Sequence, residues 1–307
     1  MILCCGEALI DMLPRRLPDG GLVFAPHSGG AVFNTAIALG RLGVPVSLFT
    51  GLSTDFFGGQ LRRDLETSKV DLRHVRFSDR PTTLAFVQLV DGRASYAFYD
   101  ENSAGRMLTE ADLPVLDAEV RALHFSCISL IPEPCGSTYE ALMRREHGRR
   151  VVMFDPNIRA AFVPDRERHL ARMYRMLAMA DIVKLSEDDL AWFGESGTDE
   201  EIANAWLRQG PRLVIVTEGD RGATGYWAGG KIQVPALPAN VVDTVGAGDT
   251  FNAGILASLH EAGLLTKQAV AGLSAGQIEA AMTFAARAAA VTVSQAGANP
   301  PWRRELA

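Results

Sequence analysis

Short apolar segments that end in a small or acidic residue recur along the chain. Buried strands of a parallel sheet have this appearance, because both of their faces are covered by other elements. We expect such strands at residues 2–11, 45–51, 122–127, 151–155, 182–186 and 213–219. Stretches with helical spacing lie between them, at residues 32–43, 139–148 and 168–180. This alternation predicts an α/β fold in which a doubly wound, mostly parallel sheet carries helices on both faces.

One region departs from that alternation. Residues 82–100 alternate apolar and polar positions about Asp91-Gly92, which is a hairpin signal with no helix after it. We expect this hairpin to project from the main sheet as a small β element, together with residues 22–26. The pattern alone leaves two interpretations open, a lid over a site and a plain antiparallel extension of the sheet edge.

The last part of the chain is helical in pattern, at residues 248–263 and again from Gln277 to Ala290. No stretch is rich enough in Gly, Ser or Pro to mark a linker, and no internal repeat is present. We therefore expect a single domain that spans residues 1–307.

Composition narrows the possible partners. The net charge is −6, and the four lysines form no basic cluster, which argues against nucleic acid. No run of about 18 apolar residues is present, so we expect no membrane span. Glu7 and Asp11 interrupt the N-terminal apolar stretch, whereas a signal peptide needs an unbroken one, which favours a cytoplasmic protein.

Four cysteines are expected to be reduced and mostly in the core: Cys4, Cys5, Cys127 and Cys135.

Two segments have the residue spacing of a known catalytic or binding motif but lack the structural context that the motif requires. Residues 225–231 have the spacing of a P-loop, but Ile232 stands where Ser or Thr must meet magnesium, and both flanks look like strands. We interpret this segment as a hairpin turn. Residues 272–276 match a nucleophile elbow, but no strand precedes them and no His follows Ser274. The six histidines form no i, i+4 pair, so we expect no zinc site.

The glycine-rich turn at Gly246-Ala247-Gly248 holds the strongest chemical signal. It begins like a dinucleotide fingerprint, but Phe251 occupies the place of the third glycine, which disfavours a nicotinamide-dependent enzyme. The bare amides and positive end of a helix bind anions, and yet an acid, Asp249, follows at once. Phosphoryl transfer from ATP to an alcohol would use both, because the amides stabilise the moving charge and the acid accepts the hydroxyl proton. The alternative is that Asp249 only caps the helix.

At this point the sequence resembles a known family. Residues 243–251 resemble the signature D-T-x-G-A-G-D-x-F of the ribokinase-like carbohydrate kinases, the family named for phosphofructokinase B. Residues 28–61 resemble the N-terminal signature of that family, and the resemblance extends from Gly6 to Pro301. It implies a three-layer α/β/α ribokinase-like fold with a projecting β lid, formed by segments at about residues 12–28 and 82–100.

The resemblance also assigns roles within the site. It implies that Asp249 is the catalytic base and that the amides of Gly246, Ala247 and Gly248 form the anion hole. Arg159, in a D-x-N-x-R segment, would reach the transferring phosphate or the acidic end of a substrate. The residues implied to bind the sugar are Asp11, Gly29, Gly30, Asn34, Phe98, Arg106 and Asp249. The residues implied to bind the nucleotide are Lys184, Ser186, Thr217, Gly219, Gly222, Gly246, Gly248, Phe284 and Ala286.

The resemblance implies ATP and Mg²⁺ as cofactors. Asp189 would reach magnesium through water, although Ser186 and Asp189 stand where the family has Asn and Glu. A monovalent cation such as K⁺ is expected beside Asp243. The lid would close over the sugar, exclude water and form a homodimer contact.

The acceptor is the least determined property. Residues 6–14 and 98–109 most resemble bacterial enzymes of this family that phosphorylate the 6-hydroxyl of fructose. A second candidate is 2-keto-3-deoxygluconate, whose carboxylate would be bound by Arg106 and Arg159. An alternative of another class is a non-catalytic sugar or nucleotide sensor on the same fold, which the retention of Asp249 disfavours because a sensor needs no base.

Overall fold

The computed structural model of the protein describes residues 1–90 and 93–306. Its strands are β1 (Ile2–Cys5), β2 (Leu9–Arg16), β3 (Leu22–Gly29), β4 (Val46–Phe49), β5 (Gly51–Ser53), β6 (Arg76–Ser78), β7 (Leu84–Val90), β8 (Arg93–Tyr99), β9 (Ala122–Ser126), β10 (Val151–Asp155), β11 (Ile182–Ser186), β12 (Leu213–Thr217), β13 (Ala223–Trp227) and β14 (Gly230–Val234). Its α-helices are α1 (Ala31–Arg41), α2 (Phe56–Thr67), α3 (Cys135–Glu146), α4 (Arg166–Met179), α5 (Glu187–Phe193), α6 (Asp199–Leu207), α7 (Ala247–Glu261), α8 (Lys267–Ala271) and α9 (Ala275–Val293).

The main sheet has the strand order β14-β13-β12-β11-β10-β9-β1-β4. Its pairs are parallel from β4 to β12, and the last two pairs, at β13 and β14, are antiparallel. Alternate side chains enter two different cores: Ile2 and Cys4 face one, whereas Leu3 and Cys5 face the other. Because both faces are buried under helices, the strands are apolar on both sides. This confirms the predicted α/β fold with a mostly parallel, doubly wound sheet.

A second, smaller sheet has the strand order β3-β2-β7-β8. β2 pairs antiparallel with β3 and parallel with β7, and β7 and β8 form an antiparallel pair. The sheet therefore combines the two segments that were predicted to form a lid. The Asp91-Gly92 turn itself lies outside the described residues.

The prediction of one strand over residues 2–11 was wrong. The apolar stretch holds two strands that belong to different sheets, since β1 lies in the main sheet and β2 in the smaller one. The change occurs near Gly6, where an added Cβ would overlap the side chain of Val32 on α1. Residues 45–51 divide in the same way, because β5 leaves the main sheet and pairs with β6.

The two motif-like segments and the four cysteines are as expected from the sequence. The P-loop-like segment is the turn between the antiparallel strands β13 and β14. Ser274 caps α9 through the amide of Gln277, and helix α8 rather than a strand precedes it. All four cysteines are free and buried. No helix in the described part of the chain is long and apolar enough to cross a membrane.

Candidate active site

The first turn of α7 forms the centre of the site. Gly246 caps this helix with φ of +79°, and a Cβ at this position would approach Ala298 to 2.7 Å, so only glycine fits. Asp249 is the third residue of the helix. Its Oδ2 accepts a hydrogen bond of 2.9 Å from Asn34 Nδ2 on α1, and no bond from a helix amide to this carboxyl is present among the described residues. This contact favours a role in the cleft over a role as a helix cap only, and the assignment of Asp249 as the base stays a prediction.

The Asp249 carboxyl is poised to exchange a proton near neutral pH. Burial raises its pKa to about 7, although the bond from Asn34 and the charge of Lys184 act in the opposite direction. A base with a pKa close to the working pH transfers protons most efficiently. The side chain lines the cleft while remaining only 8% exposed. An acceptor hydroxyl in that cleft would meet a carboxylate largely screened from water.

Two more carboxyls lie where the smaller sheet meets the main one. Asp11 on β2 packs against Gly29, where any Cβ would overlap Asp11 Oδ2. Burial, followed by the charge of Glu7, raises the pKa of Asp11 to about 6. Glu7 Oε1 accepts a 3.3 Å bond from the amide of Val32, whereas the buried Oε2 has no partner among the described residues. Carboxyl oxygens placed in this way can bind sugar hydroxyls.

A buried ion pair lies beneath the glycine turn. Lys184 Nζ, on β11, is 3.0 Å from Asp155 Oδ2 at the end of β10. Asn252 Nδ2 on α7 donates a second bond of 2.7 Å to the same oxygen. The ammonium group lies beside Gly248, since a Cβ there would be 3.0 Å from Nζ. The ammonium group of Lys184 therefore places a positive charge at the predicted anion hole.

One cleft of about 670 Å³ brings most of the predicted site together. Such a volume is ample for a nucleotide and a small sugar. The predicted residues that line it are Asp11, Gly30, Asn34, Phe98, Arg159, Lys184, Ser186, Asp189, Thr217, Gly219, Gly246, Gly248 and Asp249.

Three predicted residues are not among those that line the cleft. Gly29 lies behind Asp11, and Ala247 is the first residue of α7. Gly222, with φ of +104°, lies where a Cβ would overlap the carbonyl of Val234. Their predicted roles stay predictions.

The predicted adenine contacts also lie outside the cleft lining. Phe284 is only partly buried, with the guanidinium groups of Arg303 and Arg287 at 4.7 Å and 5.6 Å from its ring centroid. Ala286 is partly buried against one of the two cores. A position beside adenine remains a prediction for both residues.

Arg106 lies in a side chamber of about 260 Å³ that shares Glu7 and Phe98 with the cleft. Its guanidinium is 3.0 Å from Asp100 Oδ1 and donates to the carbonyl of Glu133 at 3.3 Å. The positive charge of Arg106 is thus already neutralised within the protein.

The acids predicted to hold cations are engaged with the backbone. Asp189 Oδ1 accepts from the amide of Ile158 at 2.7 Å, and Oδ2 closes a capping box with Ser186 at the start of α5. Asp243 accepts from the amides of Val245 and Gly297, at 3.0 Å and 2.9 Å. Across residues 1–90 and 93–306, no three His, Cys, Asp or Glu side chains form a metal-binding group. A magnesium ion in the cleft would therefore depend on phosphate oxygens and water for most of its ligands.

Sequence reasoning missed four side chains of this region: Glu7, Asp100, Asp155 and Asn252. Asp155 had a usable signal, because it ends a fully buried strand and an unpaired acid there is costly. Lys184, on the next strand along the chain, is its natural partner. Glu7 had a weaker signal, as an acid within an apolar run. Asp100 and Asn252 had none that distinguishes them from surface residues.

Comparisons with known proteins show the family to which the chain belongs. The family model described as pfkB family carbohydrate kinase matches residues 2–304. The chain is 57% identical over 270 residues to a fructokinase from Rhizobium leguminosarum bv. trifolii, which covers 88% of this chain and 83% of that one.

Solved structures agree as well. A fructokinase from Xylella fastidiosa with bound ATP superposes with a TM-score of 0.91 at 28% identity, covering 99% of this chain and 97% of that one. A double mutant of a fructokinase from Vibrio cholerae O395, with fructose, ADP and a potassium ion bound, superposes with a TM-score of 0.84 at 27% identity, covering 97% of this chain and 93% of that one. The chain belongs to the pfkB family of carbohydrate kinases, and its fold is ribokinase-like.

Proposed function

We propose that the protein is an ATP-dependent fructokinase that transfers the γ-phosphoryl group to the 6-hydroxyl of fructose. The observation that carries this proposal is the position of Asp249, a buried carboxyl with a pKa of about 7 in the first turn of α7. The sugar hydroxyl gives its proton to this carboxylate as its oxygen attacks the γ-phosphorus. The amides of residues 246–248 and the ammonium of Lys184 stabilise the negative charge on the moving group.

The sugar end of the cleft favours a neutral acceptor. Glu7 and Asp11 offer carboxyl oxygens there, and a substrate carboxylate would meet like charge. Of the two arginines predicted to bind an acidic substrate, Arg106 is already paired with Asp100, whereas Arg159 lines the cleft. The carboxyls of Glu7 and Asp11, together with the pairing of Arg106, support fructose over 2-keto-3-deoxygluconate.

The relatives support the same choice of substrates. The 57% identical relative is a fructokinase, and the Vibrio cholerae structure holds fructose and ADP. ATP would place its phosphates near Gly246, Gly248 and Lys184, where donors and positive charge converge. Magnesium, when bound with ATP, would neutralise phosphate charge, with Asp189 acting through water. Potassium as a cofactor is supported by the potassium ion of that structure. Beside Asp243, as the sequence predicts, it would order the loop that this carboxylate already holds.

A coupled ADP-release assay tests the proposal against its alternatives. The acceptors are fructose, 2-keto-3-deoxygluconate, ribose and adenosine, each with Mg-ATP and with and without KCl. We expect kcat/KM for fructose to exceed the others by at least about 10², because each misplaced polar group in the site costs a hydrogen bond. Highest turnover with the sugar acid would replace fructose as the acceptor. Binding without turnover for every acceptor would favour a non-catalytic sensor.

We further propose a homodimer through the lid. Apolar side chains on the smaller sheet are exposed, among them Leu22 at 59% and Tyr99 at 62%. Phe24, Phe86 and Tyr99 stack edge to face along that sheet. An apolar patch of this kind is typical of an interface. Analytical ultracentrifugation of the wild type and of Phe24→Asp tests it, with a monomeric wild type counting against the dimer.

The domain organisation and location follow the same proposal. One kinase domain over residues 1–307 is supported by the single main sheet with a core on each face, with the lid segments at about 12–28 and 82–100 inserted. Its substrates, ATP and a free sugar, are consistent with a cytoplasmic enzyme.

A further inference from the structure

A second cleft lies at the opposite end of the main sheet from the catalytic one. It has a volume of about 630 Å³, within the range of small-molecule sites. Its walls include Arg121, directly before β9, and Arg149 and Arg150, directly before β10. In parallel strands the amino ends share one edge and the carboxyl ends the other, so this cleft and the site around Asp249 lie at opposite edges.

The walls of this cleft are strongly cationic. They contain four arginines and one lysine but only one acid, Glu146. The five cations are Arg121, Arg145, Arg149, Arg150 and Lys267. The whole chain has a net charge of −6, so the local charge is opposite to that of the protein. A concave surface of one sign concentrates the potential and attracts ligands of the other sign.

Three of the cations are held in place by the protein. Arg150 pairs with Glu146 and donates to the carbonyls of Val120, Leu116 and Asp117. Arg145 also pairs with Glu146, at 2.8 Å, and donates to the carbonyl of Pro114. Lys267 Nζ is 2.7 Å from Asp181 Oδ1. These contacts use the carboxylates of Glu146 and Asp181 and hold the three cations in place.

The other two cations remain available. Arg121 and Arg149 are exposed, and their guanidinium groups make no hydrogen bond or ion pair within the part of the chain that the structure describes. Two acids, Asp117 and Glu119, lie close to Arg121 in sequence. Their carboxylate oxygens are 3.7 Å and 3.5 Å from the guanidinium of Arg73, so they pair with that residue. Two free guanidinium forks in one cleft match the oxygens of a phosphate group, which they can bind bidentately.

Part of the cleft wall is apolar. Leu116, Val120 and Leu265 contribute to it, and Val115 is 94% exposed beside them. A ligand that covers this wall would need an uncharged body in addition to its anionic group. We propose that this cleft is a second binding site, for a phosphorylated small molecule, with Arg121 and Arg149 as the residues that hold the phosphate.

Isothermal titration tests the proposal on the full chain, with the catalytic cleft saturated by fructose and a non-hydrolysable ATP analogue. Inorganic pyrophosphate is the probe for the shared chemistry, and AMP and glucose 6-phosphate distinguish a nucleotide from a sugar phosphate. We expect one additional site, with an affinity that falls as NaCl rises. The variant Arg121→Gln/Arg149→Gln should weaken binding at least about tenfold, since it removes two charge-assisted contacts.

The matched control is Arg63→Gln/Arg208→Gln, which removes the same charge at two exposed arginines outside the cleft lining. This control should leave the affinity within about twofold. Both double variants should keep the turnover of the wild type, so the outcome is independent of the proposed catalytic function. The proposal is overturned if none of the three probes binds, or if the two double variants lose affinity equally.

Discussion

Asn34 and Asp249 join the first helix of the chain to the glycine turn near its end, through a hydrogen bond of 2.9 Å. The two residues are 215 positions apart, and Thr35 adds a second link by donating to the carbonyl of Asp249 at 3.3 Å. The amide of Asn34 holds the carboxylate in one orientation. Asp249 is thereby aimed into the cleft and kept away from the helix amides that it could otherwise cap.

We predict that Asp249→Asn lowers kcat with fructose by at least about 10². The amide is nearly the same size and can still accept a hydrogen bond from Asn34, but it cannot take a proton. Affinity for a non-hydrolysable ATP analogue, measured by isothermal titration, should change by less than about twofold. Near-normal turnover of this variant would show that Asp249 is not the catalytic base.

The pH dependence of kcat/KM should report the same group. Because the pKa of Asp249 is raised to about 7, the base is protonated below that pH. The rate should therefore fall about tenfold per pH unit below about pH 7 and level off above it. The residual rate of Asp249→Asn should lack this dependence. A wild-type profile that is flat down to about pH 5 would contradict the assignment.

Ionised Asp249 should also reduce stability. Its pKa in the folded protein lies above the value of 3.8 for an unperturbed Asp, so the folded state loses stability as pH rises from about 4 to about 7. We predict that Asp249→Asn raises the free energy of unfolding at about pH 8 by roughly 1–4 kcal/mol. Urea denaturation should show that the gain fades at about pH 4. An equal gain at both pH values would point to packing instead.

Gly29→Ala should weaken sugar binding specifically. The new methyl group would overlap Asp11 Oδ2 and push the carboxylate aside. We expect KM for fructose to rise at least about tenfold, with KM for ATP changed less than about twofold. The matched control is Gly276→Ala in α9, where an added Cβ meets no atom within 4 Å. Equal effects on the two KM values would argue against a sugar contact at Asp11.

Lys184→Met should affect both folding and catalysis. Asp155 is fully buried, so removal of its ion-pair partner should cost about 3–5 kcal/mol of stability. The double variant Lys184→Met/Asp155→Asn neutralises that carboxyl while keeping an acceptor for Asn252. It should recover much of the stability in urea denaturation but not the lost kcat. Recovery of kcat as well would mean that Lys184 acts only through the fold.

The main strands and the glycine turn could be predicted because each has a local signature. Residues 151–155 and 182–186 became β10 and β11 with the predicted bounds, since their faces are buried on both sides. The division of residues 2–11 could not be predicted, because Leu9 and Ile10 are buried like the residues of β1 although they belong to another sheet. When the chain passes from one sheet to another, the hydrophobic pattern of the sequence does not change.

Pairing between side chains was the other property that sequence reasoning did not predict. Arg106 has the charge of a substrate contact, but the structure places Asp100 at 3.0 Å from its guanidinium. Asp189 likewise stands at a position where the family has Glu, and the capping box with Ser186 and the amide of Ile158 occupy its oxygens. The residue type indicates what a group can bind, whereas the tertiary neighbours decide what it does bind.

Strand β2 begins at Leu9, which lines the cleft, and continues into the smaller sheet; Asp11 lies on this strand. If Asp11 binds the sugar and the smaller sheet closes over it, as proposed, one continuous strand serves both sugar selection and lid closure. A substitution at Asp11 that changes the choice of sugar would then also change lid closure. Under this proposal, a new acceptor specificity in this chain would arise only together with a change in closure.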